Sequence, residues 1–99
     1  MSAALTTCVV ITRLDPDAPM PRHRTGSLSH TGEGDITQRL GFPPARHTVE
    51  GKSDQEWLFR VGDFDCAIWD AKGSGKYGCW STYGPPEIFV AIFGWRAVR

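Results

Sequence analysis

Glu56 to Gly84, EWLFRVGDFDCAIWDAKGSGKYGCWSTYG, is the stretch that decides the fold. It holds three of the four tryptophans, both tyrosines and two of the three cysteines. It also carries the clean period-2 alternation expected of half-buried strands. Trp57, Phe59 and Val61 alternate with Glu56, Leu58 and Arg60. Gly62-Asp63 then reads as a two-residue hairpin turn in which glycine takes the positive φ of the first position. That turn sets Val61 opposite Phe64, Phe59 opposite Cys66 and Trp57 opposite Ile68, all on one face. On the other face Arg60 meets Asp65, Leu58 meets Ala67 and Glu56 meets Trp69. Apolar pairs with apolar and arginine with aspartate, so the register is self-consistent. A third strand, Gly78 to Thr82, follows the loop Asp70 to Tyr77 and completes an antiparallel meander.

On the C-terminal side, Gly84-Pro85-Pro86 ends the meander and opens a helix with proline in its first turn, where the missing N–H costs nothing. Glu87 suits the positive end of the helix dipole. Ile88, Phe89, Ala91, Ile92 and Phe93 form a broad apolar stripe, which predicts packing on the Trp57/Phe59/Val61 face, and Gly94 stops the helix. On the N-terminal side, Arg46 to Asp54 is polar and reads as loop, with a little extended structure near His47 to Val49. A short helix from Ile36 to Leu40 precedes it, with Asp35 as N-cap, Gln38 as its capping-box partner and Gly41 as left-handed C-cap. Pro43-Pro44 prevents continuation. From Asp15 to Gly34 the chain is rich in Pro, Gly, Ser and charge, with too little apolar content to offset the cost of ordering, and reads as a mobile loop. Leu5 to Thr12 reads as a β-branched strand, and its continuous apolar run Cys8 to Ile11 suits a strand covered on both faces, although its length also permits a short helix turn. The expected organisation is an N-terminal strand and loop over 1–34 and a compact core over 35–99. The fold class is α+β: a three- to four-stranded antiparallel sheet, a short helix before the meander and a C-terminal helix packed on one face.

The chain of 99 residues is 40% hydrophobic and 22% charged, and its eleven basic and eleven acidic residues cancel. That balance argues against a duplex nucleic-acid binder, which needs a basic face. Three cysteines are too few for a disulfide framework, so Cys8, Cys66 and Cys79 read as packing residues of a reducing compartment. Ala3 to Ile11 has neither the basic start nor the cleavage site of a signal peptide, and no apolar run reaches the ~18–20 residues of a membrane span. The expectation is a cytoplasmic protein without membrane contact.

Gly73-Ser74-Gly75-Lys76 superficially resembles a phosphate-binding loop. The loop needs a glycine where Asp70 stands, a Ser or Thr where Tyr77 stands, and a following helix, so that reading fails. Glycine N–H groups flanked by Lys72 and Lys76 still make a small anion site in principle. Trp69, Tyr77, Trp80 and Tyr83 cluster around it. Aromatic faces beside cations suit a nucleobase with its phosphate, and equally a protein hot spot. The ligand-binding set read from the sequence is Trp69, Asp70, Lys72, Lys76, Tyr77, Trp80 and Arg46. No His, Cys or Asp spacing matches a metal site, and no catalytic signature or cofactor motif is present. A pairing of Cys66, Cys79 or Ser81 with a histidine stays open as a hydrolase reading.

Glu56-Trp57, Ala67-Ile68-Trp69-Asp70-Ala71-Lys72, Trp80-Ser81 and the Gly-Pro before the last helix resemble small accessory proteins of bacteriophages and prophages. The resemblance runs over roughly Asp35 to Gly94. It implies an inhibitor of host defence, acting in the cytoplasm of a bacterial host by binding rather than catalysis. Two modes follow: capture of a nucleotide-like anionic ligand, or direct occlusion of a host defence protein in the anti-CRISPR manner. A homodimer would suit either, since apolar residues fall on both sheet faces.

Overall fold

The computed structural model describes residues 9–17, 23–49, 52–70 and 77–99, and the backbone alone of 46–49 and 52–54. Alternation in the central stretch produces the hairpin of β4 (Lys52–Val61) and β5 (Phe64–Trp69). Its register runs from Glu56 opposite Trp69 to Val61 opposite Phe64, as the sequence predicts. Gly62 turns the chain at φ 61, a conformation that only glycine adopts without strain. β6 (Trp80–Tyr83) joins β5 with Ile68 opposite Thr82. The third strand therefore lies slightly later than Gly78 to Thr82.

Beyond this meander the sheet is larger than the expected three or four strands. Its order is β1-β4-β5-β6-β2, with β3 also paired to β4. β1 (Ile11–Arg13) and β3 (Ala45–Val49) share one edge of the long β4, β3 along its first half and β1 along its second. Two expectations are corrected here. Arg46 to Asp54 is not a polar loop, because β3 and the start of β4 pair as a two-stranded ribbon. Gly26–Leu28, inside the stretch read as a structureless loop, is β2 and lies antiparallel to β6. Its single apolar residue, Leu28, is fully buried. The N-terminal strand begins at Ile11, and as an edge strand its pattern is half-buried and exposed rather than covered on both faces. Leu5 to Cys8 lies outside the described residues.

The far edge is closed by the last residues of the chain. Ser27 and Arg99 exchange both backbone hydrogen bonds at 2.8 and 3.1 Å, Ser29 N–H donates to the Ala97 carbonyl, and Leu28 bridges Val98. This covers the unpaired donors that β2 would otherwise present.

Both helices lie on the face predicted for the core. α1 (Glu33–Leu40) begins two residues earlier than Asp35. Gly32 is its N-cap without a side-chain bond, so the expected Asp35–Gln38 capping box is absent. Asp35 instead sits in the first turn and pairs with Arg39 at 3.1 Å, an i,i+4 ion pair. Gly41 is the left-handed C-cap at φ 91. α2 (Pro86–Phe93) starts with proline in its first turn and stops at Gly94. Its Phe89 meets Phe59 edge-to-face at 6.1 Å. Trp57, Phe59, Cys66, Ile68, Trp80, Leu28, Ile36, Leu40, Phe89 and Phe93 make one core. Two indoles fasten α1 into it. Trp80 Nε1–H donates to the Thr31 carbonyl just before the helix at 2.7 Å, and Trp57 Nε1–H to the Phe42 carbonyl just after it at 3.2 Å.

The second face is covered over only part of its area. Leu58 is 3% exposed. Leu14 donates its N–H to the Leu58 carbonyl, and Leu14, Pro16, Phe42 and Pro43 fill the notch between β1 and β3. The rest of this face, towards β6 and β2, is where the functional question lies.

Candidate functional site

Pairing across four strands fixes one row on the second face. Glu56, Trp69, Ser81, Ser27 and Arg99 stand side by side, each directly opposite the next. Neighbouring strands are about 4.8 Å apart, so the row from Trp69 to Arg99 extends roughly 14 Å. Around its outer half lies a pocket of about 390 Å³ lined by Arg24, Ser27, Ser29, Cys79, Ser81 and Arg99. Three serines and two arginines line it, and no aspartate or glutamate does. The Ser29 Oγ is buried and makes no hydrogen bond among the described residues. Arg99 is steadied by a bond from Nη1 to the Arg96 carbonyl at 2.9 Å. Trp69, half-buried, flanks the pocket at Ser81. Tyr83, also half-buried, is the diagonal neighbour of Trp69 on the same face, a spacing within reach of aromatic side chains.

Two arginines and three hydroxyls make a donor-rich recess. Guanidinium groups present planar forks suited to phosphate or carboxylate oxygens, and serine hydroxyls add donors. An adjoining tryptophan gives a stacking surface. The volume falls within the usual range of small-ligand pockets.

The residues read from the sequence are divided by the fold. Trp69 stands beside this site, opposite Ser81. Trp80 borders the recess, but β6 turns its indole to the core face, where it is 2% exposed and meets Trp57 edge-to-face at 5.2 Å. Buried this way, it offers no face for stacking beside Trp69. Asp70 ends β5, donating its N–H to the Gln55 carbonyl at 3.0 Å. Arg46 lies in β3 at the register position opposite Gln55, one strand beyond the row's other end. Tyr77 is 76% exposed just before β6. Lys72 and Lys76 lie outside the described residues. Arg24, Arg99, Ser27 and Ser29 were not anticipated. Their signal is the alternation Thr25-Gly26-Ser27-Leu28-Ser29, with hydroxyls at every second position, and the Arg-x-x-Arg of the last four residues.

The two described cysteines differ. Burial, with the nearby Asp65 charge adding to it, pushes the Cys66 thiol up to about 12. At neutral pH it stays protonated, the less nucleophilic form of the thiol. Cys79 is exposed. Among the described residues no three His, Cys, Asp or Glu side chains are placed to hold a metal ion. No helix among them is long and apolar enough to cross a membrane. No family model, no curated protein and no solved structure matches this chain.

Proposed function

We propose that the protein is a non-catalytic binding protein for a small anionic, nucleotide-like ligand. The supporting observation is that Arg24, Arg99 and three serines line one recess beside Trp69. The phosphate takes the recess, and the base lies against Trp69 and Tyr83. Neither residue belongs to the core cluster, and both keep part of their surface exposed. The phage setting, in which such a ligand would be a host defence signal, comes from the sequence resemblance alone. The test is titration calorimetry with tryptophan fluorescence, using nucleoside monophosphates and cyclic dinucleotides. Binding is expected, weakened about tenfold or more by Trp69→Ala, since a base stack is worth ~1–3 kcal/mol. It should weaken with added salt, and that salt dependence should be smaller in Arg24→Ala. Absence of both heat and fluorescence change across the series overturns the proposal.

A second reading is direct occlusion of a protein partner. It is favoured by Trp95, 70% exposed with the Arg96 guanidinium 5.3 Å from its ring centroid. Trp and Arg are the residues on which protein interfaces concentrate their energy. Trp95→Ala would then abolish co-elution with that partner while leaving nucleotide titrations unchanged.

A further inference from the structure

Two residues further along β6 from the serine recess, the same face opens into a second cleft of about 600 Å³. His23, Tyr83, Phe64, Asp63 and Asp65 line it. The His23 and Tyr83 rings meet edge-to-face at 5.0 Å, and Phe64 is 55% exposed. One face therefore carries a recess with two guanidinium groups at one end and a cleft with two carboxylates at the other. Trp69 stands opposite Ser81 at the recess, and Tyr83 lines the cleft. Register runs from Ser81 opposite Trp69 to Tyr83 opposite Ala67, and Asp65 lies two residues further along β5 on the same face. Four residues of strand separate the centres, about 13 Å, comparable to the length of a nucleotide from its phosphate to the far edge of its base.

We infer that this cleft reads the base, and that it selects guanine. The inference rests on the anionic-ligand reading above. An ionised carboxylate accepts hydrogen bonds and donates none, so it favours a base edge that offers adjacent N–H donors. Guanine presents N1–H and the N2 amino group side by side. Adenine places the bare N1 acceptor beside its amino group, and cytosine does the same with N3, so each brings a lone pair towards the carboxylate. Uracil has one N–H between two carbonyls. Asp65 Oδ1 is held by Arg60 Nε at 2.7 Å, which orients the group and leaves Oδ2 for the base. Asp63 sits in the tight turn two residues away. The opposite charges of the two pockets also fix the direction of the ligand: phosphate towards Arg24 and Arg99, base towards Asp63 and Asp65.

The test compares GMP and AMP by calorimetry on the full chain. GMP is expected to bind about tenfold more tightly, equivalent to ~1.4 kcal/mol. Asp63→Asn with Asp65→Asn should bring the two nucleotides to parity by weakening GMP and leaving AMP unchanged. Both side chains are on the surface, and circular dichroism checks that the variant folds. Equal affinities, or tighter AMP binding, overturn the inference while the anionic-ligand reading stands. A guanine preference that survives the double substitution also overturns it. If neither nucleotide nor any other of the series binds, both readings fall.

Discussion

Gly84 has φ 129, and a Cβ there would stand 2.9 Å from Cys66 Sγ. Gly84→Ala combines a strained backbone with a clash in the core, so it should destabilise by about 2–3 kcal/mol. A lower urea midpoint at unchanged slope would report this. The contact partner has its own signature. In the unfolded chain the Cys66 thiol titrates near 9.0, and in the fold near 12. Below the first value both states are protonated and the contribution is complete. Above it the unfolded chain ionises and the fold does not, so stability falls as pH rises from about 9 to about 12. Cys66→Ala should lose some packing at every pH but show a shallower decline over that window in parallel urea titrations. Trp80 shows where residue-level reading fails. The connection from β5 to β6 is too long to dictate a register, and a one-residue shift exchanges the faces. Nothing in Trp80-Ser81-Thr82-Tyr83 says that the tryptophan turns inward. Trp80→Phe keeps most of the packing and loses the bond to the Thr31 carbonyl, at about 1–2 kcal/mol by urea denaturation.

Between the two helices the connecting group is Arg39. Its Nε pairs with Asp35 one turn back, and its Nη1 donates to the Ile92 carbonyl in the last turn of α2 at 2.8 Å. A cation there satisfies a helix-end carbonyl and meets the negative end of the dipole. The side chain is nearly half exposed, so Arg39→Ala should lower stability by only about 0.5–1 kcal/mol. Arg39→Lys should not restore it, because an ammonium lacks the planar fork that reaches both acceptors. The β4–β5 hairpin and α2 were legible because their signals are local: a two-residue turn, a strict alternation, a proline start and a glycine stop. β2 was not. Three residues with one apolar side chain carry no period of their own, and their partners stand more than fifty residues later in the chain. β3 was hidden for a related reason, since a polar ribbon outside the core has no hydrophobic face to reveal it. The site inherited both failures. Trp69 was found through the hairpin, whereas Arg24, Ser27, Ser29 and Arg99 come together only through β2 and the chain end.

The molecule as a whole has its sheet closed at one edge by residues 97–99. Removing them would free the Ser27 and Ser29 amides and uncover Leu28, and it would take Arg99 from the recess it lines. A loss of about 2 kcal/mol is expected from the backbone bonds alone. Hydrogen exchange should accelerate at the Ser27 and Ser29 amides, with little change across β4 and β5. Unchanged exchange at those two amides would show that the tail does not hold the edge in solution. The same pairing sets an order of events in time. The central hairpin closes over a two-residue turn, and such hairpins form in ~1–10 μs. β2 has β6 on one side and residues 97–99 on the other, so it cannot find both neighbours until residue 99 has been made. During synthesis Leu28 is therefore made early and buried late, with the closing of long loops as the slow step. Residues 97–99, rather than the central hairpin, determine when the face carrying the serine–arginine recess is complete.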